Sequence, residues 1–444
     1  MSTAPDDTRH HVVVIGCGFG GLFAVKALRR APVRITLIDR TNHHLFQPLL
    51  YQVATGILSE GQIAPAIRDV LRRHPSVRVV LAEVQRIDPA AQTVVATEVS
   101  GNEATFHYDS LIVAGGSVPS YFGHDEYRRT APGMKTLDDA MHLRGQIFGA
   151  FEEAEMEEDD ARRRALMTFV VIGGGPTGVE MAGQLEELSR RALDMNFRRI
   201  DPKTTRVVLV EGGESLVATM GARLSRLTAR DLGRMGIEVH LGAMVTGMDE
   251  GGVELTQPDG THLRIESITK VWAAGTRASP LGAHLASTTG VALDRSGRIQ
   301  VQPDCSLAGN PEIFVVGDLM ALDDLPALAE VAMQSGVHAA HTIMRRLRGD
   351  KKMKAFHYRD LGTLAVISRF RAVAKVGPLQ VGGFAGWLLW LVVHVTFLTG
   401  FKNRFAALAR WAISFIGRGR YERALTGRWV ARAATDGGPA PDSA

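Results

Sequence analysis

The chain has 444 residues, of which 45% are hydrophobic and 47 are glycine, values typical of an α/β protein with two or three domains. Its two cysteines, Cys17 and Cys305, lie outside any CxxC or CxxxxC pair, which argues against a disulfide framework, a dithiol redox centre or a cysteine zinc site, and no metal site is predicted. The net charge of +4 hides a basic tail, because residues 351–444 carry 15 Lys and Arg against 4 Asp and Glu.

The first predicted elements form a dinucleotide-binding pattern. A buried strand, a glycine turn and a helix follow one another within residues 11–30, and a second strand ends in Asp39. In such a turn Gly16 allows the tight bend, Gly18 lets a pyrophosphate approach the backbone, and Gly21 lets the helix pack on the strand. The phosphates face the positive end of the helix, and Asp39 can bind both hydroxyls of a ribose.

Further elements follow before the pattern is repeated. The sequence predicts a helix within residues 63–74, two exposed strands, and a buried strand in the stretch YDSLIVAGG that ends at Gly116. A single long helix is predicted from Leu137 to Arg164, with the acidic run Glu152–Asp160 as its solvated side.

The opening pattern recurs at Gly173-x-Gly175-x-x-Gly178, with a strand before it, a helix after it, and a second strand that ends in Glu211. The two patterns start 157 residues apart, at Gly16 and Gly173, which is too far for two halves of one fold, so two separate dinucleotide-binding domains are predicted. A carboxylate at Glu211 favours NADH over NADPH, because it binds a ribose 2′-hydroxyl and repels a 2′-phosphate.

The tail predicts a lipid contact through residues 380–420. Between Lys375 and Lys402 lie 26 residues without a Lys, Arg, Asp or Glu, and an amphipathic helix is predicted over Lys402–Ile416. Two helices that lie on a membrane, with tryptophans in the headgroup layer, are favoured over a spanning helix or over core or dimer helices. His394 is predicted to be interfacial, and nucleic acid is disfavoured as the anionic partner. Because no signal peptide is recognised, the cytoplasmic face of the cell membrane is expected.

Two dinucleotide sites in one chain indicate electron transfer between a nicotinamide and a flavin. The sequence also resembles the type II NADH:quinone oxidoreductases, which are single-subunit and non-proton-pumping, and it looks nearest to actinobacterial members. The stretches that carry the resemblance are GCGFGG at 16–21, HHLFQPLLYQVATG at 43–56, VVIGGGPTGVEMAG at 170–183, KVWAAGTRASPLG at 270–282 and IFVVGD at 313–318. It implies an α/β fold with two Rossmann-like domains, as in glutathione-reductase-like flavoproteins, plus a C-terminal amphipathic membrane-binding region.

The resemblance also implies the ligands and the domain limits. FAD is expected as a non-covalent cofactor, and NADH as the substrate. The implied FAD contacts are Gly16, Gly18, Gly21, Asp39, Ala114, Gly115 and Asp318, and the implied NADH contacts are Gly173, Gly175, Gly178 and Glu211. The expected parts are an FAD-binding domain at 10–140 and 281–350, an inserted NADH-binding domain at 165–280, a membrane-anchoring region at 351–430, and disordered ends at 1–9 and 431–444.

Three side chains are candidates for the chemistry. For Glu180 the resemblance implies a role between nicotinamide and quinone, and the alternative is a carboxylate in the first turn that stabilises a helix N-terminus. The family's quinone stretch reads Ala-Gln-x-x-x-Gln, whereas here Glu330 replaces the first glutamine and Gln334 keeps the second. We hypothesise that a protonated Glu330 mimics the amide donor or delivers a proton to the reduced quinone, since burial raises a carboxyl pKa. The alternative is a tolerated, partly exposed substitution.

The expected reaction is hydride transfer from NADH to FAD, followed by transfer of two electrons to a membrane quinone, with menaquinone suggested by the actinobacterial resemblance and no proton pumping. The quinone is expected to enter beside Gln334 and the tail helices. A disulfide reductase and a sulfide:quinone oxidoreductase are disfavoured because they need active-site cysteines. A flavoprotein NADH oxidase and an NADH-responsive, membrane-docked binding protein with a degraded quinone site remain alternatives, and a homodimer is possible.

Overall fold

The computed structural model describes residues 8–350, 352–416 and 419–425. The disorder predicted for residues 1–9 and 431–444 therefore falls outside the described residues, apart from Thr8 and Arg9. The described chain folds into two compact units. The first consists of the residues up to Leu45, Ala64–Val118 and Thr276–Leu361, and the second of Phe46–Ile63, Pro119–Gly275 and the residues from Gly362 onward.

Helices and strands alternate along most of the described chain. The helices are α1 (Phe19–Leu28), α2 (Leu50–Ala54), α3 (Glu60–Ile63), α4 (Ile67–Val70), α5 (Leu137–Met156), α6 (Asp160–Leu166), α7 (Pro176–Glu187), α8 (Ala222–Met235), α9 (Pro280–Thr289), α10 (Ala329–Leu347), α11 (Gly383–Phe397) and α12 (Phe401–Ile416). The strands are β1 (His10–Ile15), β2 (Val33–Asp39), β3 (Val77–Asp88), β4 (Thr93–Glu98), β5 (Glu103–His107), β6 (Ser110–Val113), β7 (Ser117–Pro119), β8 (Thr168–Ile172), β9 (Arg206–Glu211), β10 (Glu238–Leu241), β11 (Met244–Met248), β12 (Gly252–Thr256), β13 (His262–Glu266), β14 (Thr269–Trp272), β15 (Thr276–Ala278), β16 (Ile299–Gln300), β17 (Ser306–Leu307), β18 (Asn310–Val315), β19 (Met320–Ala321), β20 (Thr363–Ser368), β21 (Arg371–Val376) and β22 (Leu379–Gly382). The predicted α/β architecture, with its repeated strand, turn, helix and strand, is confirmed in β1-α1-β2 and β8-α7-β9.

The first unit is built on an eight-stranded sheet with the strand order β17-β18-β6-β1-β2-β3-β4-β5. The neighbours from β18 to β3 pair in parallel, whereas β4 and β5 continue the sheet antiparallel. Val12, Val13 and Val14 of β1 are fully buried, as expected for a parallel strand covered on both faces. Helix α1 packs so closely against α10 that a Cβ on Gly336 would lie 2.2 Å from the carbonyl oxygen of Gly20.

The helix predicted within residues 63–74 is wrong for most of its length, because only the short helix α4 forms after the end of α3. Pro65 interrupts the segment, and the residue before a proline avoids the helical conformation. The carbonyl oxygen of Pro65 accepts the backbone N–H of His44 at 3.0 Å, so this stretch pairs with the chain that follows β2.

The second unit repeats the plan on a smaller scale. Its parallel sheet has the order β10-β9-β8-β14, and a separate antiparallel sheet has the order β11-β12-β13. Residues 46–63 and 119–140, which the predicted boundaries assign to the FAD-binding part, pack in this second unit.

The single helix predicted over Leu137–Arg164 is wrong, because α5 and α6 are separate. Between them the carboxylate of Glu157 accepts the backbone N–H groups of Glu158 and Asp159 at 2.8 and 3.0 Å. Asp159 caps α6 by accepting the N–H of Ala161 at 2.8 Å. Acidic side chains that bind nearby N–H groups compete with the helical pattern, so the acidic run interrupts the helix as well as facing solvent.

The C-terminal part of the second unit contains the antiparallel sheet β20-β21-β22 and helices α11 and α12. Helix α7 lies directly on β20, since a Cβ on Gly183 would come 1.8 Å from the carbonyl oxygen of Ile367. The expectation that the tail tryptophans face headgroups is wrong, because Trp387, Trp390 and Trp411 are all buried. Within residues 8–350, 352–416 and 419–425, no helix combines the length and the apolarity that a bilayer crossing needs.

The outward sides of α11 and α12 are apolar. Spacings of four residues on α11, and of three and five residues on α12, place the exposed hydrophobic side chains on one side of each helix. These apolar stripes are Phe384, Leu388 and Val392 on α11, and Phe405, Leu408 and Ile413 on α12, with exposed fractions between 39% and 72%. Helix α12 therefore presents apolar side chains outward, while its Ala407 and Trp411 are buried.

Candidate active site

The first glycine turn has a shape that depends on its glycines. Gly16 has a φ of +90°, and a Cβ on it would lie 2.4 Å from the carbonyl oxygen of Ala114. A Cβ on Gly21 would lie 1.8 Å from the carbonyl oxygen of Gly16, so the helix closes tightly on the turn. No described atom lies within 4 Å of a Cβ built on Gly18, so this position faces open space. Gly115, two residues after the end of β6, is more tightly packed, because a Cβ built on it would lie 3.3 Å from the side chain of Leu281.

The predicted FAD contacts meet at the carboxyl edge of the first sheet. Strands β18, β6, β1 and β2 are parallel neighbours, and Asp318, Ala114, Gly16 and Asp39 follow or end them in that order. Because the carboxyl ends of parallel strands share one edge, these residues lie together. The hydroxyl of Ser117 donates to the Asp318 carboxylate at 2.6 Å and joins the segments after β6 and β18.

Asp39 is held in place by the turn it faces. One carboxylate oxygen accepts the N–H of Cys17 at 2.5 Å, and the other accepts both the N–H and the hydroxyl of Thr41 at 2.7 Å. A carboxylate offers about four acceptor positions, so about one remains for a ribose hydroxyl. Helix α1 has no side-chain cap and no acidic residue in its first turn. The open Gly18 position, the uncapped helix and the fixed carboxylate fit a dinucleotide such as FAD.

The second glycine turn has the same features in the second unit. Gly173 has a φ of +112°, and a Cβ on Gly178 would lie 1.8 Å from the Gly173 carbonyl oxygen. The position of Gly175 is open to 4 Å among the described atoms. Glu211 accepts the N–H of Gly174 at 2.5 Å and that of Gly213 at 2.6 Å, one on each oxygen. The turn fits a second dinucleotide. Glu211 accepts a backbone N–H of this turn, as Asp39 does in the first turn.

Glu180 is a buried carboxyl group in α7. It lies beyond the first turn of the helix, which contains no acidic residue, so the alternative that it stabilises the helix N-terminus there is wrong. One of its oxygens accepts the N–H of Val366 in β20 at 3.3 Å. Burial raises the pKa of Glu180 well above its ordinary value, and this hydrogen bond only partly offsets that effect. Burial therefore favours the protonated form of this side chain, which is withdrawn from bulk water.

Glu330 and Gln334 both bind the segment that follows α10. The Gln334 amide donates to the carbonyl oxygen of Arg359 at 2.9 Å and accepts its N–H at 3.0 Å. One oxygen of Glu330 accepts the hydroxyl of Tyr358 and the N–H of Leu361, both at 3.1 Å. Burial raises the pKa of this half-buried carboxyl group, whereas the two donors lower it. The carboxyl is thus held by two defined partners at the start of α10.

His394 is not interfacial, which corrects the prediction, because it is buried in the second unit. Its Nδ1 donates to the carbonyl oxygen of Trp390 at 2.8 Å, and its ring stacks on the Trp390 ring with centroids 4.5 Å apart. Burial lowers the pKa of His394 to about 4, so the ring is neutral. Sequence reasoning also missed Tyr358, whose hydroxyl the fold brings to the Glu330 carboxyl group.

Comparison with known proteins decides the family. Residues 10–336 match the family described as pyridine nucleotide-disulphide oxidoreductase. Two relatives from Mycobacterium tuberculosis, the type II NADH:quinone oxidoreductases Ndh and NdhA, are 50% and 51% identical over 426 residues, which cover 96% and 95% of this chain and 92% and 90% of theirs. The chain belongs to the type II NADH:quinone oxidoreductases.

Solved structures give the same fold for this type II chain. NDH2 from Plasmodium falciparum in complex with NADH superposes with a TM-score of 0.85 at 17% identity, covering 93% of this chain and all of that one. A sulfide:quinone oxidoreductase from Aquifex aeolicus gives 0.70 at 18% identity, over 92% and 95% of the two chains. Cys17 and Cys305 of the type II chain are buried and unpaired, and burial raises the pKa of both thiols, which disfavours thiolate chemistry.

Proposed function

We propose that the chain oxidises NADH and reduces a membrane quinone, without pumping protons, and that FAD is bound non-covalently in the first unit. The observation that carries this proposal is identity of 50% and 51%, over more than nine-tenths of the chain, to two proteins named type II NADH:quinone oxidoreductase. When bound, FAD accepts a hydride from NADH and passes two electrons to the quinone. The resemblance to actinobacterial members supports menaquinone as the quinone.

The cofactor and the substrate are assigned to different units. The FAD contacts in the proposal are Gly16, Gly18, Gly21, Asp39, Ala114, Gly115 and Asp318, which share one edge of the first sheet. The NADH contacts in the proposal are Gly173, Gly175, Gly178 and Glu211. The oxygens of Glu211 face the second turn, where a 2′-phosphate would meet an anionic carboxylate, and this supports NADH over NADPH.

Glu180 supplies a proton for quinone reduction in this proposal. The overall reaction converts NADH, quinone and one proton into NAD⁺ and quinol, so one proton must come from solvent in each turnover. A carboxyl group whose pKa is raised by burial is suited to store that proton and release it to a developing negative charge.

Glu330 and Gln334 form the quinone-binding pair of the proposal. Gln334 uses both ends of its amide on Arg359, so its contribution is to fix the backbone of that segment. Glu330 takes both of its hydrogen bonds on one oxygen, which leaves the second oxygen to donate to a quinone carbonyl when the group is protonated. The substitution of the family's glutamine therefore preserves a donor and adds a titratable proton.

The apolar stripes of α11 and α12 are the proposed lipid contact, on the cytoplasmic face of the cell membrane. Six large exposed hydrophobic side chains on two consecutive helices favour burial in the headgroup and acyl boundary. Basic residues of the tail add attraction to anionic lipids. A second copy of the chain is the alternative partner for these stripes, and this would give a homodimer in the absence of lipid.

Stopped-flow absorbance of the FAD-loaded protein tests the function. NADH is mixed first, and a short-chain menaquinone analogue follows under anaerobic conditions. We expect the flavin band to bleach with NADH and to recover with the quinone. Bleaching that only oxygen reverses would favour an NADH oxidase, and bleaching that neither acceptor reverses would favour an NADH-responsive binding protein. A flavin band that NADH leaves unchanged would contradict the assignment of the second glycine turn.

A further inference from the structure

Helix α8 carries a stripe of exposed arginines. Arg223, Arg226, Arg230 and Arg234 follow one another at spacings of three and four residues, so they lie on one side of the helix. Asp231 is the one acidic residue in the sequence of α8, and its side chain is buried. The exposed side of α8 is therefore strongly basic, and none of its arginines belongs to the proposed FAD, NADH or quinone contacts.

The acids around this stripe leave it with a surplus of positive charge. One carboxylate oxygen of Asp231 lies 3.0 Å from a guanidinium nitrogen of Arg371 in β21 and 3.4 Å from one of Arg230. The same oxygen lies 3.9 Å from a nitrogen of Arg234. Within the described chain, all ion pairs of the stripe go to this one carboxylate. Three guanidinium groups around one carboxylate leave two positive charges unbalanced, and Arg226 adds to that surplus.

Helix α8 lies beside the segment that leads into α11. Arg223 donates to the carbonyl oxygen of Gln380 in β22 at 2.6 Å. A Cβ on Gly382, the residue before α11, would lie 2.2 Å from the side chain of Leu227. Leu227 borders the arginine stripe, because it lies one helical turn after Arg223. The arginine stripe therefore adjoins the point at which α11, with its apolar stripe, begins.

The turn between β20 and β21 is a second junction between positive charge and apolar surface. It consists of Arg369 and Phe370, and the Arg369 guanidinium lies over the Phe370 ring, 4.7 Å from its centroid. The Phe370 ring contacts the rings of Phe384 and Trp387 in α11, with centroids 6.2 and 4.9 Å apart. Phe384 is the first member of the apolar stripe of α11 and is 60% exposed. Because Arg371 follows this turn and pairs with α8, the turn connects the arginine stripe to the apolar stripe.

These six basic side chains, here called the arginine face, are Arg223, Arg226, Arg230, Arg234, Arg369 and Arg371. We propose that the arginine face binds the phosphate group of an anionic phospholipid, whose acyl chains lie against the apolar stripe of α11. The inference rests on the proposed lipid contact and adds the class of lipid and the site of its headgroup. Guanidinium groups suit phosphate because they donate two parallel N–H groups to its oxygens. The adjoining apolar stripe favours a phospholipid over nucleic acid or an acidic protein, since a phospholipid combines an anionic and an apolar part in one molecule.

The test measures binding of the FAD-loaded full chain to vesicles by co-sedimentation. One set of vesicles contains phosphatidylcholine alone, and the other also contains phosphatidylglycerol. An arginine near an anionic membrane surface contributes about fivefold in affinity, so we expect Arg226→Gln/Arg230→Gln to bind the anionic vesicles about 20- to 30-fold more weakly than wild type. Arg226→Lys/Arg230→Lys keeps both charges and should stay within about threefold of wild type. The neutral vesicles should bind all three proteins equally.

Arg128→Gln/Arg164→Gln is the matched control, because it removes two exposed arginines of the second unit that lie outside the arginine face. We expect it to bind the anionic vesicles within about twofold of wild type, since salt screens charges away from the membrane surface. A loss as large as that of Arg226→Gln/Arg230→Gln would make the effect one of net charge and overturn the inference. Normal binding of Arg226→Gln/Arg230→Gln would also overturn it and would favour an acidic protein as the partner of this face.

Two further measurements separate the arginine face from the fold and from the apolar stripes. Flavin bleaching by NADH should be unchanged in every arginine variant, which checks that the variants are folded. Leu388→Glu should weaken binding to both kinds of vesicle, whereas Arg226→Gln/Arg230→Gln should weaken binding to the anionic kind alone. If the wild-type protein binds both kinds equally, the lipid contact stands and the inference about the arginine face is wrong. If it binds neither kind, the proposed lipid contact itself is wrong.

Discussion

At the scale of residues, the acidic side chains of this protein divide by environment into two chemical types. Asp39 and Glu211 each accept backbone N–H groups beside a glycine turn, an arrangement that suits recognition of a ribose hydroxyl. Glu180 is buried and Glu330 is half-buried, and burial raises the pKa of both. The first pair is suited to binding and the second pair to donating protons.

Replacing Glu330 with glutamine tests the donor role. The amide oxygen can still accept from Tyr358 and Leu361, and the amide nitrogen supplies a permanent donor, so we expect quinone turnover to persist at neutral pH within about fivefold. The wild-type donor is lost as the pH rises through the elevated pKa of Glu330, whereas the amide of the variant does not titrate and remains a donor. The pH profile of quinone reoxidation should therefore flatten on its alkaline side. A profile identical to that of the wild type would remove Glu330 from the proton chemistry.

The same substitution also affects the stability of the fold, and the sign of this effect follows from the coupling between proton binding and folding. Because the folded-state pKa of Glu330 is raised, folding favours its protonated form. This contribution is complete below the unfolded pKa of about 4.3 and is lost as the pH rises through the folded value. We expect the melting temperature of Glu330→Gln, relative to that of the wild type, to increase as the pH rises. Glu158→Gln, at an exposed position, serves as the control and should show no such trend.

At the scale of elements, hydrophobic periodicity predicted the parts that packing makes regular. The buried strands around each glycine turn lie close to where the sequence places them. The errors are local and have local causes, such as Pro65 in the predicted helix over 63–74 and the competing carboxylates near Glu157. The burial of Trp387 and Trp390 was missed because periodicity does not reveal which side of an all-apolar helix faces protein. α11 is apolar on all sides, so its orientation depends on tertiary packing.

The apolar stripes make a prediction at this scale. Leu388→Glu and Phe405→Glu place a charge where the proposal puts lipid, and loss of one buried apolar side chain is worth about 1.5–3 kcal/mol, or about 10- to 100-fold in affinity. We expect each variant to bind vesicles of anionic phospholipid that much more weakly in co-sedimentation. Met244→Glu is the control, because the exposed fraction of Met244 on β11 lies between those of Leu388 and Phe405, and this variant should bind vesicles normally. Unchanged vesicle binding together with a shift from dimer to monomer would identify a second copy as the partner.

At the scale of the whole molecule, the chain uses one local design twice. The glycines and the acids at the strand ends could be predicted from the sequence because each meets a local requirement. The glycines are needed by the turn, and the acid is needed to bind a ribose. The partners of the candidate catalytic residues could not be predicted, since they come from distant parts of the chain. Tyr358 lies 28 residues beyond Glu330, and Val366 lies 186 residues beyond Glu180. Contacts over such separations depend on the completed fold and leave no local pattern.

Because the turn occurs twice, Gly21→Ala and Gly178→Ala form a matched pair of substitutions. They test the assignment of FAD to the first turn and of NADH to the second. In both turns the added Cβ would lie 1.8 Å from a backbone carbonyl oxygen, so the same clash is created once in each unit. Overpacking of this kind costs about 1–3 kcal/mol, and it shifts the backbone that faces the phosphates. We expect Gly21→Ala to lose FAD, measured as flavin absorbance per protein. We expect Gly178→Ala to retain FAD but to be bleached by NADH only at much higher concentrations. Loss of FAD in Gly178→Ala with normal FAD in Gly21→Ala would reverse the assignment of the two turns.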